Sequence, residues 1–229
     1  MKLISDIDEV LTTTRAVRRR LDFERPVEQS TIEECLRLAQ QATMGSNVED
    51  WRFVAVTEPE KKARIAAVYR DVWDQTVEIP LRNRSPDTVA RLDPAERGDN
   101  ESQARQKRVL ESVKYLVDNL ERVPVIMFAC SAKPVPSRPL SDRASGYYGS
   151  IIPIAWSFML ALRSRGLGSV LATAIVFHAT QLSEILDLPE DTHPITMIPV
   201  AYTDKLHFKP APRRPLEEIL RWEQWGSEL

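Results

Sequence analysis

The chain has 229 residues, 43% of them hydrophobic, and its 31 lysines and arginines stand against 33 acids for a net charge of −2. Such a composition can bury a core, and so even a charge balance removes any general attraction to nucleic acid or to an anionic membrane, so an anion site has to be local. Two cysteines, Cys35 and Cys130, fall in segments that read as buried and make no disulfide framework, which points to a reducing compartment and a cytoplasmic protein.

Met1 to Leu11 mixes Asp6, Asp8 and Glu9 among apolar residues and carries neither the basic nor the apolar block of an export signal. The run Asp6-Ile7-Asp8-Glu9-Val10-Leu11-Thr12 has the spacing of the aspartate motif of haloacid-dehalogenase-type phosphatases. That motif sits at the end of a buried strand, and here only Leu3 and Ile4 precede it, so the run reads as an amphipathic first helix. Ser30 to Thr43 opens with Ser30 and Glu33 in capping-box spacing and repeats Ile32, Cys35, Leu36 and Ala39 at helical intervals. Trp51 to Val56 is a strand, and Thr57, Pro59 and Glu60 start a helix reaching about Thr76.

From Ile79 to Arg108 prolines at 80, 86 and 94, Gly98 and many charges predict a flexible loop or lid. Val109, Val113, Leu116 and Leu120 resume helical spacing, and Val125 to Cys130 is an apolar run of strand length. Lys133 to Arg143 is connecting loop. The stretch Tyr147 to Leu162 is uncharged but too short to span a bilayer, and it reads as a buried helix from about Gly146 to Arg165 that stops at Gly166 and Gly168. Strands are predicted near Val170 to Phe177 and at Ile195 to Thr203, with a short helix around Ala179 to Asp187 between them. A basic, proline-rich tail runs on from Lys205. The first two strands are more than sixty residues apart, too far for a regular βαβ crossover, which makes the chain α+β, a single domain over residues 1–229.

Four segments could carry chemistry. Thr14-Arg15-Ala16-Val17-Arg18-Arg19-Arg20 offers arginine forks that suit a phosphate if the segment is extended, and a solvated basic turn otherwise. Lys205, Lys209, Arg213 and Arg214 form a second basic set, spaced by prolines that hold the backbone extended. Gly45-Ser46-Asn47 ahead of Trp51-Arg52-Phe53 is a small polar turn where a ligand could approach the backbone. Tyr148-Gly149-Ser150 opens the uncharged helix and Gly166-Leu167-Gly168-Ser169 closes it, with Thr173-Ala174 in the strand beyond. His178, His193 and His207 pair with no cysteine or acid at ligand spacing, so no metal site is predicted. Gly166-x-Gly168 lacks the third glycine of a dinucleotide fingerprint, which argues against a Rossmann pocket.

In order and over nearly the whole chain these segments resemble the nitroreductase family of flavoproteins, and Pro-Leu-Glu-Glu-Ile followed by Trp222 and Trp225-Gly226 is similar to that family's C-terminus. The resemblance implies a central, mostly antiparallel sheet flanked by helices in an intertwined homodimer. It also implies bound FMN, with NAD(P)H as reductant and an organic acceptor, nitroaromatic, quinone or enone, reduced in alternation. By position it assigns Arg15, Ala16, Arg18, Arg19, Lys209, Arg213 and Arg214 to the phosphate and ribityl chain, Met44, Gly45, Ser46, Asn47 and Ser150 to the flavin edge, and Thr173 or Ala174 to flavin N5. No side chain is implied as a nucleophile; the chemistry is the flavin's. The sequence departs from the family at Ala16, where serine is common, at Thr43-Met44, at Trp156-Ser157, and at Glu49-Asp50, where Gln-Pro is frequent. A non-catalytic flavin-binding protein of the same fold is the alternative.

Overall fold

A computed structural model describes residues 6–83, 100–133, 135–136, 142–204 and 207–224. Helix α1 (Ile7–Thr13) is capped by Asp6, whose carboxylate accepts from the Glu9 N–H at 2.8 Å. That use of Asp6, with Asp8 inside the first turn, fits the amphipathic-helix reading. After the two-residue strand β1 (Leu21–Asp22), α2 (Gln29–Ala39) starts behind Glu28 without a side-chain cap. The expected Ser30–Glu33 capping box is not formed, because Ser30 already lies inside the first turn, where Gln29 instead donates to Glu33.

Strand β2 (Trp51–Val56) leads into α3 (Pro59–Trp73), which begins on proline, a residue that needs no N–H at that position. A π-helical turn follows at Asp74–Glu78, then α4 (Ile79–Arg82). Much of the proline-rich stretch expected as loop or lid over 79–108 lies outside the described residues. Its two ends are helical: α4, and the first turns of the twenty-residue α5 (Asn100–Asn119). Strand β3 (Val125–Ser131), α6 (Asp142–Ser164), β4 (Leu167–Ser169), α7 (Ala179–Leu186) and β5 (His193–Thr203) complete the described elements, with short 3-10 turns between some of them.

The strands form one antiparallel sheet ordered β1-β5-β3-β2, with β4 also paired to β5, so the long last strand holds the sheet together. Helices cover both faces, which is why β3 is buried along its whole length and reads as a continuous apolar run. Its alternate side chains part accordingly. Ile126, Phe128 and Cys130 join the layer under α3, α5 and α7, while Val125, Met127 and Ala129 join the layer under α2 and α6. Both cysteines are free and buried, and burial pushes the Cys35 thiol up to about 11 and the Cys130 thiol up to about 12, so neither carries a reactive thiolate at neutral pH. No helix among the described residues is long and apolar enough to cross a membrane.

The strand expected over Val170 to Phe177 is the main correction. Only Ala172 makes a β-bridge, to Met197, and Ala174–His178 winds into a 3-10 turn that runs directly into α7. The pairing that sequence placed there belongs to β4, just upstream.

Candidate flavin site

The basic segment after α1 is extended over residues 14–17, as phosphate binding requires, and then bends and turns over Arg18, Arg19 and Arg20. The Val17 N–H donates to the Ser169 carbonyl at 2.9 Å and Ala16 makes a parallel bridge to Ser169, which lays the segment against β4. The approach is so close that a Cβ on Gly168 would stand 2.8 Å from Val17 Cγ1, so glycine is required there. Alternation then separates the arginines. Val17 is buried, and Arg15 turns to where the C-terminal tail returns: its guanidinium donates to the Thr14 carbonyl, to the Thr12 carbonyl at 2.9 Å and to the Lys209 carbonyl at 2.8 Å.

Those contacts bring the two basic segments, 194 residues apart in sequence, together at one place. Burial and then the nearby Arg213 guanidinium hold Arg15 below the usual arginine range, an arrangement of like charges that an anion between them would relieve. Around the junction the tail is held by Phe208, whose ring lies 5.2 Å from the Arg163 guanidinium.

The other arginines diverge. Arg18 points inward, donates to Ser112 Oγ at 3.4 Å, and is held below its usual range by burial, against a raising effect of Tyr69. It meets no carboxylate among the described residues. Arg19 pairs with Glu111 and Arg20 with Asp204, each at 3.5 Å and exposed, so those two charges are neutralised at the surface. Arg19 also lines a cavity of 640 Å³ between α3–α4 and α5, with Trp73, Val77, Leu110 and Tyr115. Arg214 is exposed.

The small polar turn and the uncharged helix also meet. Gly45–Asn47 is a short 3-10 turn following an extended Met44, and the Gly45 N–H donates to Ser150 Oγ at 3.0 Å. Ser150 in turn donates to the Gly146 carbonyl at 2.8 Å, and its own carbonyl accepts from the Trp51 indole at 3.1 Å. Ser150 is thus a buried pin, and the faces left to a ligand are Gly45 and Asn47, both exposed. Thr173 is exposed and precedes the 3-10 turn that Ala174 begins. The first residues of a helical segment have N–H groups without an acceptor in the segment, so the correction from strand to helix start leaves the Ala174 amide hydrogen available.

The sequence profile of the Nitroreductase family matches residues 11–202. The chain belongs to the nitroreductase family. It is 26% identical over 221 residues to a protein named iodotyrosine deiodinase from Thermotoga neapolitana, covering 96% of this chain and 97% of that one. Its fold is similar to a BluB-like flavoprotein from Clostridium difficile 630, with a TM-score of 0.67 at 14% identity over 96% of this chain and 100% of the other. It is also similar to an FMN- and NADPH-dependent nitroreductase from Sphigopyxis sp. strain HMH, with a TM-score of 0.62 at 20% identity over the same shares of the two chains. The antiparallel sheet flanked by helices is therefore the nitroreductase fold.

What sequence reasoning missed is the environment of Asp50. It is buried beside Ser131, Lys133 and Tyr147, and the only sequence signal was that Glu49-Asp50 stands where the family often has Gln-Pro.

Proposed function

We propose that the protein is an FMN-dependent oxidoreductase that takes reducing equivalents from NAD(P)H and passes them to an organic acceptor. The observation that carries this reading is the convergence of Arg15 and Arg213, a pair of cations neither of which forms an ion pair among the described residues, at a point reached by both ends of the chain. A terminal phosphate monoester suits that pair, and FMN ends in one. Lys209 and the Ala16 backbone border the same place. Arg18, apart from the pair and without a counter-ion among the described residues, is assigned to a second polar part of the cofactor, and Gly45 and Asn47 to the edge of its ring. When bound, FMN supplies the hydride chemistry, and the chain supplies phosphate clamping, orientation and donors toward the ring.

The Ala174 amide hydrogen is proposed to face flavin N5. Ala174→Pro removes that hydrogen at a position where proline suits the helix start, although the helical conformation of Thr173 before it will be somewhat disfavoured. Folded, FMN-loaded Ala174→Pro should be reduced by NAD(P)H at least about tenfold more slowly than wild type, since a single oriented donor carries effects of that order or larger. Thr173→Ala should be reduced at nearly the wild-type rate. Stopped-flow absorbance of the flavin, with circular dichroism and FMN affinity measured alongside, checks this, and an unslowed Ala174→Pro would remove Ala174 from the site.

We also propose a homodimer. Ile7 and Leu11 on α1, Tyr148 and Trp156 on α6, and Leu216, Ile219 and Trp222 in the tail are large apolar side chains left exposed on the single chain, more than an isolated soluble surface usually shows in a few elements. Light scattering on the flavin-loaded protein tests it, and a monomer would refute it. The likeness to an iodotyrosine deiodinase makes iodotyrosine a fourth acceptor to assay beside nitroaromatics, quinones and enones. Turnover of none of the four by a protein that NAD(P)H reduces would leave the acceptor class open, and failure of NAD(P)H to reduce it would favour a flavin-holding role without catalysis.

A further inference from the structure

One buried polar cluster is used by none of the roles above. Asp50 closes the loop that carries the Gly45–Asn47 turn. Only 8% exposed, it places Oδ2 3.0 Å from the Lys133 ammonium and 3.5 Å from Ser131 Oγ, while its Oδ1 is buried without a hydrogen-bond partner among the described residues. The Tyr147 hydroxyl is likewise buried, beside Ser131 and Asp50. Burial pushes it up to about 12, so it remains a neutral phenol. The Asp50 backbone is tied on both sides, its N–H to the Val48 carbonyl at 3.1 Å and its carbonyl to the Ala132 N–H at 2.8 Å.

The turn itself is weakly held. Its closing bond, from the Val48 N–H to the Gly45 carbonyl, is 3.4 Å long, and Asn47 sits in the left-handed region at φ 53°, which asparagine tolerates better than other side-chain-bearing residues but still less readily than the right-handed one. With so long a closing bond, the turn depends on anchors at its two ends. Ser150 supplies the first, at Gly45. A buried carboxylate is unfavourable unless it is paired, and pairing β2 with β3 requires no charge at this position, so the Asp50–Lys133 ion pair calls for a purpose of its own.

We infer that Asp50 is a positioning residue: with Lys133 it fixes the second limb of the turn and thereby the shape that Gly45 and Asn47 present to the cofactor. The cofactor part of this inference rests on the FMN reading above; the anchoring part does not. The variants are Asp50→Ala, Lys133→Met and the pair combined. Asp50→Ala should fold, because the half-exposed Lys133 ammonium can turn to water. Amide hydrogen exchange on the cofactor-free protein reads the anchor directly. Exchange at residues 45–48 should quicken by about tenfold in Asp50→Ala, as loss of one charge-assisted contact implies, and the pair should quicken it no further. Amides of β3 and β5 should keep their wild-type protection. In the loaded protein the same variant should bind FMN more weakly and shift its visible absorption band. Unchanged exchange at the turn, additive effects of the two substitutions, or a loss of protection spread evenly over the sheet would each overturn the inference. Localised, non-additive effects of the variants on exchange, together with a wild-type protein that binds no FMN, would support the anchor and sink the cofactor reading alone.

Discussion

A chain carrying Arg15→Ala together with Arg213→Ala should bind FMN about 100- to 10,000-fold more weakly than wild type, because each charge-assisted contact to a phosphate contributes about 1.5 to 3 kcal/mol and about 1.4 kcal/mol is tenfold in affinity. The single variants should differ in a way that only this geometry predicts. Arg15 also donates to three main-chain carbonyls, one of them in the tail at Lys209, so Arg15→Ala should loosen the tail as well as the cofactor. Arg213→Ala removes a cation that depresses its neighbour, so the cofactor-free protein should melt no lower than wild type, while FMN affinity falls. Arg19→Ala, whose charge is already paired with Glu111 at the surface, should change affinity by no more than about fivefold. Fluorescence titration of FMN, with melting curves of the apo-proteins, separates these outcomes. Equal effects of all three single variants would mean that the cluster acts as diffuse charge.

The largest loss of stability should come from Phe158→Ala. Phe158 is fully buried in the layer between α6 and the sheet, with its ring centroid 6.4 Å from that of Phe53 and tilted 51°. Emptying such a site removes the transfer free energy and leaves a cavity, about 3 to 5 kcal/mol together. Against a total of roughly 5 to 15 kcal/mol this is a large share, and for a chain of this size it lowers the melting temperature by roughly 6 to 20 °C. Because Phe158 lies two turns along α6 from Ser150, the protein that remains folded should still bind FMN with near wild-type affinity. Calorimetry gives the first number and titration below the transition the second; a cofactor-affinity loss as large as the stability loss would couple this core to the site.

How much of this was legible in the sequence depended on length and burial. Strands β3 and β5 and helix α6 announced themselves as long apolar runs, helices α2 and α3 by the helical spacing of their buried residues, and β2 by its β-forming residues. Strands β1 and β4, two and three residues long, leave none; they exist because β5 offers them partners. Val170 to Phe177 misled for the converse reason. Its β-branched and aromatic residues favour a strand locally, but beyond the Ala172 bridge the chain has to turn into α7, and tertiary context overrode propensity. At the site, the convergence of the two basic segments was legible as chemistry but not as geometry. Four arginines in six residues look equivalent until the bond from Val17 to Ser169 fixes which of them faces the tail, which turns inward and which pairs at the surface.

The central claim is that the junction of Arg15 with the tail holds the phosphate of FMN, and the most direct measurement is the identity and stoichiometry of the flavin bound by the purified protein. Protein saturated with a mixture of FMN and FAD, freed of excess ligand and then denatured, should release FMN at close to one per chain and almost no FAD. Before denaturation it should be bleached by NADH or NADPH. A folded protein that retains neither flavin, or that retains FAD in preference to FMN, would contradict the account.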